Sequence, residues 1–165
     1  MPDRSDRSVP AESPTGATAR VRRAAPADAI AIADVYLASF RARYAFPLAH
    51  GDAEVRAWIH EQVESSKETW VADIDGVVIG MMVLDRGELE QLYVHPDWWQ
   101  QGIGSRLLDL AKDRRPDGLA LYTFQENLGA RAFYERHGFG AVAFGDGSGN
   151  EERQPDVRYA WRPPS

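Results

Sequence analysis

Cysteine is absent from the 165 residues. That absence removes disulfide bridges, thiolate zinc sites and a cysteine acyl-enzyme together. Nor does any apolar run reach the length needed to span a bilayer. The opening segment, MPDRSDRSVPAESPTG, lacks the apolar core of a secretory signal, and it carries Asp3, Asp6 and Glu12, unlike a transit peptide. A cytoplasmic location is the expectation. Basic residues are in deficit: 19 Lys and Arg against 25 Asp and Glu give a net charge of -6. This argues against nucleic acid or an anionic membrane as partner, because neither supplies the counter-charge. It mildly favours cationic small molecules or basic peptide ends, although such an excess also serves solubility alone.

What is present suits one folded domain. The chain is 44% hydrophobic and 27% charged, ordinary for a soluble protein with one sizeable core. Residues 1–18 are rich in Pro, Ser, Asp and Arg and nearly devoid of large apolar side chains, so they read as a disordered tail. The domain is expected over residues 19–165. A short strand near Ala19 to Arg22 leads to Pro26, well placed for a first helical position. Ile30, Ala33, Leu37 and Phe40 follow with helical spacing, and a second helix carries Val55, Trp58, Ile59 and Val63 on one face. Between these helices lies an aromatic, Pro-containing connection, Arg41 to His50.

Three strands come next, Glu68 to Ile74, Val77 to Leu84 and Glu88 to Val94. Asp75-Gly76 is a two-residue hairpin signal and Arg86-Gly87 a second turn. A helix from Gly102 to Arg114, a strand from Leu119 to Thr123, a helix from Asn127 to His137 and two strands (Phe139 to Phe144, Val157 to Trp161) complete the chain. This order fits an α/β (α+β) fold, a central mixed sheet with helices on both faces.

The most informative stretch is Leu92 to Leu108, LYVHPDWWQQGIGSRLL. A strand ends at Val94, Pro96 forbids its continuation, and a Gly-rich turn opens an amphipathic helix. The first turn of that helix leaves backbone N–H groups without partners, and Gly102 and Gly104 admit a bulky anion to them. A phosphate or pyrophosphate is the expected ligand. Ser105-Arg106 does not supply the Lys-Ser/Thr pair of a Walker-type loop, and Leu107 stands where a dinucleotide fingerprint needs a third small residue. Simple turn geometry also accounts for Gly-x-Gly alone.

The chain here resembles the GNAT superfamily of acetyl-CoA-dependent N-acetyltransferases. Its pyrophosphate motif, Gln/Arg-x-x-Gly-x-Gly/Ala after a strand and a Pro, is matched by Leu92-Tyr93-Val94-His95-Pro96 and Gln101-Gly102-Ile103-Gly104. Trp99 stands in the Gln/Arg place, with Gln100 next to it. A second stretch, NLGARAFYERHGF from Asn127 to Phe139, resembles the family's Asn-x-x-Ala-x-x-Phe-Tyr-x-x-x-Gly-Phe signature. Asn127 and Tyr134 lie about two helical turns apart, on one face. The resemblance covers roughly Val21 to Trp161. It implies a mostly antiparallel sheet of about seven strands with about four helices, splayed at the strand before the pyrophosphate-binding helix.

Acetyl-CoA as co-substrate is what the resemblance implies, with no metal. The backbone of Leu92, Tyr93 and Val94 would pair with the pantetheine arm, and Val94 N–H would stabilise the thioester oxygen. Gln100, Gln101, Gly102, Ile103, Gly104 and Ser105 would hold the pyrophosphate, and Asn127 would position the coenzyme. Tyr134 is the candidate general acid, since a phenol's reference pKa of about 10 lies near that of a thiol; a core aromatic is the other reading. For the base, Glu88 and Glu90 alternate with Leu92 and Val94 and so share one strand face. Of the two, Glu90 is nearer the coenzyme and preferred. Direct attack by the amine in a ternary complex is expected, because the Ser residues lack a nucleophile-elbow context. Arg41 to His50 would lid the acceptor pocket, with Tyr44 and Phe46 as walls, and Trp70 reads as core.

Other features are set aside. His60-Glu61-Gln62-Val63-Glu64 lacks the second His of a zinc helix, and Glu151 takes the Gly position that a calcium loop from Asp146 requires. His95, at a strand end, would assist proton transfer or, as the preferred reading, is a loop residue, and Trp98 and Trp99 read as packing on the helix or rimming the coenzyme groove. The expected partner is a small-molecule or peptide amine, with amino acid, polyamine, antibiotic and peptide ends all open. A homodimer is common in the family and unreadable here. The alternatives to an N-acetyltransferase are a non-catalytic acyl-CoA-binding or regulatory domain on the same fold, and a purely structural interaction domain.

Overall fold

The computed structural model describes residues 18–165. Residues 1–17, nearly all of the expected tail, lie outside them. The elements run β1 (Arg20–Arg23), a 3-10 turn (Pro26–Asp28), α1 (Ala29–Arg43), α2 (Asp52–Glu64), β2 (Glu68–Ile74), β3 (Val77–Asp85) and β4 (Glu88–Val94). A second 3-10 turn (Pro96–Trp98) precedes α3 (Ile103–Arg114), β5 (Leu119–Phe124), α4 (Leu128–Arg136), β6 (Gly140–Gly145) and β7 (Asp156–Trp161). The seven strands form one sheet in the order β1-β2-β3-β4-β5-β7-β6. Every neighbouring pair is antiparallel except β4 with β5.

Local chemistry sets the meander. Asp75 (φ 52°) and Gly76 (φ 85°) are both left-handed, the geometry of the tight turn that matches strand twist. Residues Val78 to Leu84 are buried without a break, because helices cover both sides of β3. Alternation divides them: Met81 and Val83 pack with Ile32, Val35 and Ile59 from α1 and α2. Met82 and Leu84 pack with Leu107 and Leu108 of α3 and Tyr134 of α4. Burying each such side chain contributes about 1.5–3 kcal/mol, so β3 anchors both layers.

One ionic knot ties the first strand to the entrance of α1. Arg22 donates to Asp73 at 2.6 Å and to both oxygens of Asp28 at 2.8 and 3.0 Å, while Asp28 accepts from Ala25 N–H at 2.7 Å. Burial alone would raise the Asp73 carboxyl, but Arg22 and Arg20 outweigh it and hold it below its ordinary range.

Three expectations need correction. Ile30 is 65% exposed, because the buried stripe of α1 runs instead through Ile32, Val35, Tyr36 and Phe40. The segment expected as a connection from Arg41 is helical through Arg43, so the link between α1 and α2 is shorter. Trp70 is half-buried at the core's margin, with the guanidinium groups of Arg23 and Arg114 5.4 and 5.2 Å from its ring.

Candidate active site

The sheet opens where β4 and β5 part. Their only register pair is Glu88 with Ala120, so from Glu90 onward the two strands separate. On its other side β4 stays paired with β3, and His95 N–H donates to Ile79 O at 2.8 Å. That bond fixes the phase of the ladder: Tyr93 and Gln91 bond to β3, and Leu92 and Val94 turn their N–H and C=O groups toward the opening. The strand thus presents to a groove backbone that has no strand partner on that side.

The groove has a volume of about 750 Å³. Leu92, Tyr93 and Val94 form one wall, Gln100, Gly102, Ile103, Gly104 and Ser105 the end, and Asn127 and Tyr134 the opposite wall. These are the residues expected to hold the coenzyme, brought together from three separate segments. Gln101 is the exception; its side chain reaches back to Asp97 O at 3.5 Å and does not line the groove.

At the groove's end the chain turns sharply, with Gln100 at φ 64° and Gly102 at φ 84°. Gly102 is the cap of α3, and the first helical amide to find an intrahelical partner is that of Arg106, bonded to Gly102 O at 3.1 Å. The Ile103, Gly104 and Ser105 amides thus precede the ladder and carry the positive end of the helix dipole. A side chain at Gly102 would meet no atom within 4 Å, yet its backbone angle disfavours any residue with a Cβ. Ser105 Oγ lies 3.1 Å from His137 Nε2. Burial first, and then Lys112, push that imidazole below its usual value.

Asn127 caps α4: its Oδ1 accepts from Ala130 N–H at 2.9 Å, and its Nδ2 donates to the Tyr44 hydroxyl at 2.8 Å. Tyr134 is buried on α4, and that burial pushes its phenol above the ordinary value. It packs edge-on to Phe133 and Phe139. Tyr134 thus both lines the groove and packs in the core.

Trp99, the departure from the family motif, is built into the groove. Its indole Nε1 donates to Val94 O at 2.7 Å, and the Arg43 guanidinium lies 4.2 Å from its ring centroid. Arg43 and Arg136 both line the groove, and among the described residues no carboxylate does. Arg43 arrives from the end of α1, and no local sequence signal marks it.

A second cavity of about 590 Å³ adjoins the first, and Tyr44 and Tyr93 line both. Tyr44 packs on Phe40, Phe46 and Phe124, so the aromatic link between α1 and α2 forms the partition. Glu90 lines this second cavity. It pairs with Lys67 at 2.8 Å.

The alternation expected along β4 fails at Glu90. Gln91 faces Val83 while Leu89 faces Leu84, which leaves Glu90 as an extra, bulged residue. Leu89 consequently joins Leu92 and Val94 on the α3 side. Glu88 falls on the opposite side, where Arg158 grips it through bonds of 2.8 and 2.5 Å. The four residues do not share a face.

Comparison with known proteins agrees with this architecture. The family model described as "Acetyltransferase (GNAT) family" matches residues 31–139. A Mycobacterium tuberculosis protein named a probable N-acetyltransferase is 31% identical over 97 residues, a match spanning 51% of this chain and 56% of that protein. Among solved structures, apo YjaB from Escherichia coli superposes with a TM-score of 0.73 at 21% identity, covering 87% of this chain and 97% of that one. The PaiA N-acetyltransferase of Thermoplasma acidophilum, solved with coenzyme A, gives 0.65 at 20% identity, covering 88% and 99%. With the family model spanning well over half of the residues, the chain belongs to the GNAT family of acetyltransferases.

Proposed function

We propose that this protein transfers an acetyl group from acetyl-CoA to a primary amine by direct attack in a ternary complex. The observation that carries the reading is the opened sheet: groove-facing backbone at Leu92 and Val94 runs into the unpaired amides of α3. Fit to the coenzyme rests on that cradle and on the two arginines of a groove without carboxylates. Acetyl-CoA supplies an activated thioester. Ile103, Gly104 and Ser105 amides would hold its pyrophosphate, and Leu92 and Val94 would bond its amide-bearing arm.

The remaining work falls to the chain's own groups. Val94 N–H meets the negative charge that develops on the thioester oxygen. The amine nitrogen forms the new C–N bond as the C–S bond breaks, and the sulfur leaves with the electron pair. Glu90, in the adjoining cavity, takes the amine's proton through water. Tyr134 donates to the departing sulfur; its raised pKa keeps it protonated at neutral pH, so it acts as hydrogen-bond donor before proton donor. Glu88, held by Arg158, is the weaker candidate for base.

One observation favours a second reading, an acyl-CoA-binding domain without catalysis: Trp99 occupies Val94 O, an acceptor the coenzyme arm would use. Incubating the protein with acetyl-CoA and a panel of amines while following free thiol separates the two. Amine-dependent thiol release is expected. Binding of acetyl-CoA with no release on any amine would favour the second reading, and no acetyl-CoA-dependent thermal shift would remove both.

A further inference from the structure

The chemistry of the second cavity narrows the acceptor. Its walls are aromatic, from Tyr36, Phe40, Tyr44, Tyr93, Tyr122 and Phe124. Its charge comes from Glu90, Asp146, Glu152 and Asp156 against Arg158 alone, and Arg158 is already neutralised by Glu88. Three of the four carboxylates have partners. Glu90 bonds Lys67, Asp146 accepts from Ser148 N–H at 2.9 Å, and Asp156 accepts from Asn150 Nδ2 at 3.1 Å.

Glu152 differs. Among the described residues no donor reaches its carboxylate, although the residue is half-buried. Its charge is felt inside the cavity: after burial, it is the next cause that raises the Tyr36 phenol. The strand connection that carries it is braced. Asn150 bonds Gln154 O at 2.8 Å, and Glu151 lies 3.0 Å from His50 Nε2. A carboxylate without a donor thus shares the cavity with several aromatic side chains, a combination that suits alkylammonium ions.

That setting has a cost for catalysis. Negative charge stabilises an ammonium, but the attacking nitrogen must be neutral. A simple monoamine suffers from the conflict. An amine with a second nitrogen escapes it, since one nitrogen stays charged while the other reacts. Among the described residues, a carboxylate-bearing acceptor finds no free cation lining the cavity.

We propose that the cavity is the acceptor site for an aliphatic diamine or polyamine, with Glu152 holding the ammonium that does not react. This rests on the acetyltransferase reading above. The neutral nitrogen forms the C–N bond as the C–S bond breaks and loses one proton to Glu90 through water. The sulfur takes a proton from Tyr134, which regains one from water as Glu90 releases its own, and the distal ammonium is unchanged throughout.

The test uses the full chain, acetyl-CoA and three acceptors of equal carbon number: a four-carbon diamine, n-butylamine and the four-carbon ω-amino acid. Thiol release should give kcat/KM for the diamine about tenfold or more above n-butylamine, with the amino acid lowest. Glu152→Gln should draw the diamine-to-butylamine ratio toward one, the loss appearing in KM rather than kcat. Its melting temperature and its shift with acetyl-CoA should match the parent, which shows that the fold and the groove persist. A parent ratio near one, a preference for the amino acid, or a ratio untouched by Glu152→Gln overturns the assignment of Glu152 and the diamine. Turnover of amines without diamine preference leaves acetyl transfer standing. Binding of acetyl-CoA with no turnover of any of these or other amines overturns both.

Discussion

The two cavities that meet at Tyr44 and Tyr93 carry opposite charge. Among the described residues, the groove beside β4 holds Arg43 and Arg136 and no carboxylate, whereas the adjoining cavity holds four carboxylates and one paired arginine. In a chain of net charge -6, the cationic groove runs against the average and the acidic cavity follows it. They also differ in construction. The groove uses backbone amides and carbonyls at β4 and the start of α3, which any side chains with the right turn geometry would supply. The cavity uses side chains gathered from α1, β4, β5, the strand connection before β7, and β7 itself. On the reading proposed above, the site for the common reactant is made of main chain and the site for the particular reactant of side chains.

Substitutions that touch one cavity and spare the other test that division. The largest effect is expected from Gly102→Trp, which forces a bulky side chain into a left-handed position at the groove's end. Acetyl-CoA affinity by calorimetry should fall more than about a hundredfold. Near-normal affinity would mean that the coenzyme is held elsewhere. Next, Tyr134→Phe should lower kcat about a hundredfold, toward the lower end for a general acid, while acetyl-CoA affinity stays within about twofold. An unchanged kcat would return Tyr134 to the core alone. Smaller again, Arg43→Ala should weaken acetyl-CoA about two- to fivefold, and the parent's affinity should depend more steeply on salt than the variant's. Equal salt slopes would detach Arg43 from the phosphates.

The smallest effect belongs to neither cavity. Hydrogen bonds from Arg114, ahead of those from Trp70 and Arg115, hold the Glu68 carboxyl at about 2, against an ordinary 4.5. A depressed carboxyl stabilises the native state above its unfolded value and loses that contribution as pH falls from 4.5 toward 2. Urea midpoints of the parent and Glu68→Gln should differ at neutral pH and converge in that window. Curves that stay parallel to pH 2 would show that the pairing adds nothing to stability.

What could be read in the sequence follows the same division. β4 was bounded by its apolar pattern and Pro96, α3 by Gly102, and α4 by the Asn127 cap, because each depends on neighbours within one turn or one strand. The bulge at Glu90 was illegible: no Gly or Pro marks it, and only the partner strand reveals the extra residue. The face assigned to Glu88 failed for that reason. Arg43 and Glu152 were missed because their roles depend on closure of the sheet, which brings the end of α1 to Trp99 and the strand connection to α1. Trp99 was seen as a departure from a motif, but the bond from its indole to Val94 O needed coordinates.

The central claim, that backbone amides at the start of α3 grip the coenzyme, is tested most directly by amide-resolved NMR during titration with acetyl-CoA. The Ile103, Gly104 and Ser105 amide resonances should move together and saturate with one affinity, and the Trp99 indole N–H should move as it yields Val94 O. Saturable binding that leaves those three amides in place would contradict the account.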